Sequence, residues 1–227
     1  MIQLKASSSF VELLSSVKRV EAVILCEGST DAEALKALAN RLGLAQDLKN
    51  VAITDAEGVN TLRESVLPAL LALIAGKVIS KPKPIAVIVD ADDLRPEARA
   101  RGLLDALRSR GYRSASLEQV CKNTWRVNLE GETSARIPLI ITVNGVFREQ
   151  FGHFEVHELE DHVVYLKLLE GRMDAGALRS ARRARELVAV DDFDLLHGAD
   201  THHVREAFSH MSCLLNALRQ HLGADRV

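Results

Sequence analysis

The feature that most constrains this chain is a series of short apolar runs, each followed by a segment with helical periodicity. The runs are residues 22–26 (AVILC), 51–54 (VAIT) and 85–89 (IAVIV), and none of them alternates with charged residues. Continuous apolar strands of this length are typical of parallel sheets, whose strands are buried on both faces. Repeated strand and helix units therefore predict an α/β fold: a Rossmann-like, doubly wound parallel sheet with right-handed crossovers and helices on both faces.

The first predicted helix shows clear boundary signals. Residues 30–33 (TDAE) have the form of a capping box, which predicts a start at Thr30. Leu35, Leu38 and Leu42 recur at helical spacing, and the following Gly43 is typical of a helix end.

The chain changes character after residue 111. Residues 124–129 (TWRVNL) alternate like a strand with one solvated face, and residues 137–143 (IPLIITV) predict a strand that extends the sheet. From residue 157 to the end the pattern is helical. We therefore expect three regions: a helical lead-in over 1–20, the α/β domain over 21–150, and a mostly helical extension over 151–227.

Composition excludes several classes of protein. The 227 residues are 47% hydrophobic, which excludes a disordered chain, and the net charge of −2 excludes histone-like binding through overall positive charge. The longest uncharged stretches, 66–76 and 137–147, are shorter than the roughly 20 residues of a membrane span. Three widely spaced cysteines without a CxxC pair fit a reducing compartment. We expect a soluble, cytoplasmic protein without a signal peptide.

Acidic residues follow two of the predicted strands. Glu27 comes directly after the first strand, and Asp90 and Asp92 come after the third. In open parallel sheets ligands bind where the winding changes direction, which lies between the first and third strands in a 2-1-3 order. Since neighbouring strands lie about 4.8 Å apart, these carboxylates can share one Mg²⁺ or Mn²⁺ ion, which would also relieve their mutual repulsion.

An ordinary structural role remains open for several of these residues. Acids after strands often cap helices and interact favourably with helix dipoles. Asp31, at the start of the first helix, and Asp93, before the third, fit that role as well as they fit a metal site. Gly58, in the loop after the second strand, permits close approach of backbone amides to a phosphate, but a lone glycine is weak evidence and an ordinary tight turn is the better explanation.

The two acidic elements together resemble the Toprim domain. The sequence EGSTD begins at Glu27 and includes Gly28, and DADD occupies 90–93, each after an apolar strand. Topoisomerases, bacterial-type primases, OLD-type nucleases and RecR-like repair proteins share this domain, and the resemblance covers about residues 20–112. It implies a Mg²⁺ or Mn²⁺ centre acting on phosphodiesters, with Glu27 as ligand or general acid/base and Asp90 and Asp92 as metal ligands.

The layout looks most like small stand-alone Toprim proteins of prokaryotes, particularly archaeal ones. The zinc ribbons and large accessory domains of primases and topoisomerases have no counterpart here. In some stand-alone members a Leu-Glu-Asp element opens a helix after a late strand. Glu160 and Asp161 match that element and are further candidate ligands, although acids are also favoured at any helix N-terminus.

Two hypotheses of function follow. The first is metal-dependent phosphodiester chemistry on DNA or RNA by a nuclease-like Toprim protein, and the alternative is a non-catalytic repair or regulatory module that binds nucleic acid. A protein that binds a small phosphorylated ligand is a third case, although GxGxxG and GxxxxGK[ST] loops do not occur. The C-terminal helices are candidates for a homodimer or protein-partner interface.

Basic and histidine-rich segments add two further options. Arginines cluster in two segments, which either contact a nucleic-acid backbone or form solvated helix faces. The two segments contain Arg99, Arg101, Arg108, Arg110 and Arg113, and Arg172, Arg179, Arg182, Arg183 and Arg185.

All eight histidines follow residue 152. His203, His210 and Cys213 have spacings compatible with a zinc site, whereas surface and capping roles are the ordinary alternative.

Overall fold

An eight-stranded mixed sheet forms the centre of the protein. The structure is a computed structural model that describes residues 1–3, 17–75, 83–131 and 136–224. The strands are β1 (Ile2–Gln3), β2 (Ala22–Cys26), β3 (Val51–Asp55), β4 (Ile85–Asp90), β5 (Arg113–Ser114), β6 (Glu118–Cys121), β7 (Thr124–Glu130) and β8 (Arg136–Asn144). Their order is β1-β3-β2-β4-β8-β7-β5, and β6 also pairs with β7.

The sheet has a parallel and an antiparallel part. Neighbouring strands from β1 to β8 in this order are parallel, and β2 lies between β3 and β4, which is the 2-1-3 order on which the expected position of the site depends. Strand β7 runs antiparallel to β8, β5 and β6. The predicted α/β fold is thus confirmed, and β8 lies inside the sheet because β7 covers its other edge.

Helices make up most of the remaining described chain. They are α1 (Ser29–Arg41), α2 (the consecutive segments Val59–Thr61, π-helical Leu62–Val66 and Leu67–Ala75), α3 (Pro96–Arg108), α4 (Leu159–Leu169), α5 (Ala175–Ser180), α6 (Leu195–Gly198), α7 (Thr201–Ala207) and α8 (Ser209–Ala224). Short 3₁₀ helices span Glu149–Phe151, Ala184–Leu187 and Val190–Asp194. Within the described ranges no helix is long and apolar enough to cross a membrane. Residues 4–16 of the predicted helical lead-in lie outside the described residues.

Alternate residues of the central strands enter two separate hydrophobic clusters. Ile24 and Ile88 belong to a cluster that includes residues of α1, α4 and α8. Leu25 and Val87 belong to a second cluster, with residues of α2 and α3. Since successive side chains of a strand point to opposite faces, these strands need apolar residues at every position. The C-terminal helices pack on the same face as α1.

Helix α1 begins earlier than its sequence signals indicate. Its first residue is Ser29 and its N-cap is Gly28, so the capping box predicted at 30–33 is wrong. The N–H of Gly28 donates instead to Asp31 Oδ2 at 3.0 Å. This is the half of a capping box in which the third helical residue binds the cap backbone, and it requires no side chain at the N-cap.

Two cysteines are paired, contrary to the expectation of free thiols. Cys121 of β6 and Cys213 of α8 form a disulfide across 92 positions of sequence. Cys26, the other cysteine, is free and buried. The pairing depends on α8 packing against the antiparallel part of the sheet, which the spacing of the cysteines does not reveal.

We expect Cys213→Ser to lower the free energy of unfolding by about 2–4 kcal/mol, because the disulfide closes a long loop in the unfolded chain. Urea unfolding with and without reductant measures the loss. Reductant should not change the free energy of unfolding of Cys213→Ser. Cys26→Ala is the control, because it keeps the disulfide and should still lose stability in reductant. Alkylation of all three thiols in denatured, unreduced wild type would contradict the bond.

Candidate acidic centre

Three carboxylates meet at the rim of the sheet between β2 and β4. Glu27 follows β2, Asp90 ends β4, and Asp31 lies in the first turn of α1. The N–H of Asp90 donates to Glu27 Oε2 at 3.1 Å. The Asn144 amide donates to Asp31 Oδ1 at 2.7 Å and to Asp90 Oδ1 at 2.8 Å. The structure therefore places these acids at the point where the winding of the sheet reverses.

Asn144 is a central residue that the sequence analysis missed. It ends β8, lies opposite Asp90 in the parallel register, and is completely buried. Its Nδ2 joins two carboxylates that are far apart in sequence. The available signal was a polar residue directly after the apolar run 137–143, but its position became meaningful only once β8 was known to lie beside β4.

Burial raises the pKa values of all three acids. The pKa of Asp31 rises to about 7, mainly through burial; hydrogen bonds from Gly28 and Asn144 oppose the rise, and the charge of Glu27 adds to it. Burial and then the charge of Asp31 raise the pKa of Asp90 well above its usual value. Burial also raises the pKa of Glu27, against a backbone hydrogen bond from Asp90. The centre therefore carries negative charge at a cost that a bound cation would reduce.

Asp92 lies at the edge of this centre. Its prediction as a ligand required an extended chain after Asp90, but Asp92 has a left-handed backbone with φ 54°. Its carboxylate forms an ion pair with Arg99. Its N–H donates to the carbonyl of His157 at 3.0 Å, and the N–H of His157 donates back at 2.8 Å. The charge of Asp92 still raises the pKa of Glu27. Asp93, the next residue, is exposed.

The loop containing Gly58 holds Glu27 in place. Gly58 has φ 116°, a conformation that favours glycine, and its N–H donates to the carbonyl of Glu27 at 2.9 Å. The next amide, of Val59, donates to the Glu27 side chain. The Gly58 amide is therefore engaged within the protein, as the tight-turn interpretation predicts.

The two acids of the Leu-Glu-Asp element have different surroundings. Glu160 is partly buried, and its charge raises the pKa values of Asp31 and Asp90, so it lies near enough to interact with them electrostatically. Asp161 is fully buried and accepts hydrogen bonds from the N–H of Val146 at 3.0 Å and from His157 Nδ1 at 2.7 Å. Asp161 therefore attaches the start of α4 to the segment after β8 and to His157.

The donor set of the centre fits a hard divalent cation. Carboxylate oxygens are preferred by Mg²⁺ and Mn²⁺, and the hydrogen bonds that link Glu27 to Asp90 and Asp90 to Asp31 through Asn144 place these poorly solvated acids close together. Among the described residues, no group of three or more His, Cys, Asp or Glu side chains already has metal-ligand geometry. One oxygen of Asp31 and one of Asp90 accept hydrogen bonds from Asn144 rather than pointing at a common ligand position.

The structure contradicts the zinc hypothesis for the last helices. Cys213 is consumed by its disulfide with Cys121. His210 Nε2 lies 2.9 Å from Asn144 Oδ1, and His203 pairs with Glu170 at 2.6 Å.

Many arginines of the two basic segments form internal ion pairs. Their partners are acidic residues: Asp92 for Arg99, Glu97 for Arg101, Asp105 for Arg108, Glu155 for Arg182, and Glu158 for Arg183 and Arg185. Arg185 also lines a pocket of about 360 Å³ together with Thr30, Glu160 and Phe193. Glu160 thus lines this pocket and also interacts electrostatically with Asp31 and Asp90.

Comparisons with known proteins identify the family. The family model described as "Protein of unknown function (DUF3226)" matches residues 21–140. The chain belongs to the DUF3226 family. The match ends before Asn144, so it includes Glu27, Asp31 and Asp90 of this DUF3226 protein but not the amide that joins two of them.

Solved structures similar to the DUF3226 protein come from two OLD proteins. The C-terminal region of the Xanthomonas campestris pv. campestris OLD protein has a TM-score of 0.41 at 17% identity, covering 91% of this chain and 98% of that one. The C-terminal region of the Burkholderia pseudomallei OLD protein has a TM-score of 0.41 at 15% identity, covering 89% and 98%. The comparison with curated proteins gave no match. The Toprim resemblance stays a prediction at these values.

The raised pKa values predict how stability depends on pH. Between the ordinary pKa of 3.8 and about 7, folded Asp31 holds its proton while the unfolded chain releases it. The folded state thus binds more protons, so these acids make the free energy of unfolding fall as pH rises through this range.

Asp90→Asn should therefore raise the melting temperature in EDTA at about pH 8, because it removes one buried acid and can keep the Oδ1 acceptor for Asn144. Stability should also fall less steeply with rising pH in this variant than in wild type. Melting curves of wild type and variant from about pH 4 to pH 8 measure the difference. Asp105→Asn, on the exposed side of α3, is the control. Equal pH dependence of wild type and Asp90→Asn would contradict the assignment.

Proposed function

We propose that this DUF3226 protein carries out divalent-cation-dependent phosphodiester chemistry on nucleic acid, as a Toprim-like nuclease. The observation that carries the proposal is the convergence of Glu27, Asp31 and Asp90 at the reversal point of the sheet, with raised pKa values. A cluster of buried carboxylates lowers stability, and binding a cation is a physical reason to maintain it.

The acids have different parts in this proposal. Asp31 and Asp90 would hold a Mg²⁺ or Mn²⁺ ion, with Asp92 and Glu160 at the edge of the site. Such an ion supplies charge neutralisation at a phosphate and lowers the pKa of a bound water. Glu27 is held by the amides of Asp90 and Val59, and burial raises its pKa, so it is the acid of the centre placed to exchange a proton with a reacting group.

One contact favours a non-catalytic alternative. The carboxylate of Asp92, half of the DxD element, is already paired with Arg99, whose Nη2 also donates to the carbonyl of Ala91 at 3.2 Å. A protein that binds nucleic acid without cutting it would tolerate this internal pair. Turnover, cation binding and nucleic-acid binding must therefore be measured separately.

Divalent cations should stabilise the protein. At a concentration 100 times the dissociation constant, a ligand of the folded state adds about 2.7 kcal/mol to the free energy of unfolding. We expect Mn²⁺ to raise the melting temperature of wild type and of Asp105→Asn. In Asp90→Asn, the Mn²⁺-induced rise should be much smaller. Equal Mn²⁺ stabilisation of all three proteins would place the cation elsewhere.

Cleavage should depend on the same acids. With Mn²⁺ or Mg²⁺ present, we expect Glu27→Gln and Asp90→Asn each to reduce hydrolysis of labelled DNA or RNA by about 100-fold or more, because each removes a proton-transfer group or a cation ligand. Gel assays over single-stranded and duplex substrates measure the rates, with Asp105→Asn as control.

Variants that cut as fast as wild type would rule out catalysis by this centre. Cation stabilisation and nucleic-acid binding without turnover in wild type would favour the non-catalytic alternative.

A further inference from the structure

Behind the acidic centre lies a second layer of buried polar contacts. His210, on α8, places Nε2 2.9 Å from Oδ1 of Asn144. Only 2% of His210 is exposed and Asn144 is fully buried, so water does not compete for this contact. The amide of Asn144 thus contacts the acids on one side and the imidazole on the other.

The hydrogen bonds of Asn144 indicate the orientation of its amide. Its two Nδ2 hydrogens donate to Oδ1 of Asp31 and Oδ1 of Asp90, and a carboxyl group keeps an oxygen that can accept such a bond whether or not it also holds a proton. With Nδ2 so placed, Oδ1 faces the imidazole and must accept from it. The ring nitrogen that supplies this hydrogen is Nε2 of His210, so His210 acts as the neutral Nε2–H tautomer.

The surroundings of His210 support this neutral form. Its Nδ1 is buried without a hydrogen-bond partner, so a proton there would be an unsatisfied donor. The ring stacks on His162, with centroids 4.0 Å apart and an interplanar angle of 20°. Burial lowers the pKa of His162 to about 4 and that of His210 well below its usual value. Two neutral rings therefore stack without charge repulsion.

Helix α8 is attached to the sheet around His210. Oγ1 of Thr124, at the start of β7, donates to the backbone carbonyl of His210 at 3.2 Å. Cys213, one turn further along α8, is bonded to Cys121 of β6. These attachments set the position of the imidazole relative to Asn144.

We propose that His210 is a positioning residue of the acidic centre. Its Nε2–H fixes the orientation of the Asn144 amide, which in turn sets the separation of the Asp31 and Asp90 carboxylates that would receive a divalent cation. This inference rests on the proposed function for its role in cation binding. The orientation of the Asn144 amide can be tested without any cation.

The first experiment uses the metal-free protein. In ¹H–¹⁵N spectra of wild type in EDTA, the side-chain amide protons of Asn144 should exchange slowly because both are hydrogen-bonded and buried, with assignment by Asn144→Asp. His210→Leu should make this exchange faster, whereas His210→Gln, which can present an amide N–H at a similar reach, should preserve it. Unchanged exchange in His210→Leu would overturn the proposal.

The second experiment measures Mn²⁺ affinity by electron paramagnetic resonance. Removing a group that is hydrogen-bonded to metal ligands typically weakens metal binding by about 10- to 100-fold. Because His210 holds such a group, the Asn144 amide, we expect His210→Leu to weaken Mn²⁺ binding by up to this amount and His210→Gln to leave it unchanged. Met211→Ala is the matched control, because Met211 is a fully buried neighbour on α8. It should lower stability without changing Mn²⁺ affinity.

A double variant separates a direct role from one through Asn144. If His210 acts through the amide, His210→Leu should weaken Mn²⁺ binding no further in an Asn144→Leu background. Additive losses, or equal losses in Met211→Ala and His210→Leu, would overturn the positioning role. If wild type binds no Mn²⁺, the proposed function fails, and the amide exchange rates alone decide the role of His210.

Discussion

The structure depends on one electrostatic constraint: several carboxylates are held out of water at the same rim of the sheet. Each is retained by hydrogen-bond donors placed by backbone or by a buried amide. Glu27 accepts from the amides of Asp90 and Val59, and Asp31 accepts from Gly28 and Asn144. These donors offset part of the cost of burial, but the pKa values remain raised. The remaining cost is the physical basis of the proposed cation site.

The donors come from every layer of the molecule. The loop after β3 supplies the amide of Val59, β8 supplies Asn144, and α8 supplies the imidazole behind it. The C-terminal helices therefore do more than cover one face of the sheet. They complete the polar contacts beneath the centre, and the Cys121–Cys213 disulfide attaches α8 to the antiparallel strands.

The roles of Asp92 and Asp31 differ from those that the sequence predicts, because backbone conformation and distant contacts determine both. Asp92 can share a cation with Asp90 if the chain stays extended after β4, because residues two apart share a face in an extended chain. The backbone instead turns to a positive φ and pairs with the His157 segment, which a pattern around residue 92 cannot show. The sequence pattern predicts Asp31 only as an acid at the start of a helix. Its distinguishing feature is its contact with Asn144, 113 positions away in sequence.

The sequence by itself determined the parallel sheet and the strand ends after which Glu27 and Asp90 lie, because burial on both faces leaves a continuous apolar run that ends where the chain returns to water. Tertiary structure alone decided that β8 lies beside β4, that Asn144 joins Asp31 to Asp90, and that α8 brings His210 behind the amide. The physical reason is that hydrogen bonds between distant residues depend on the packing of whole elements, and that packing leaves no periodic signal around the residues that make the contact.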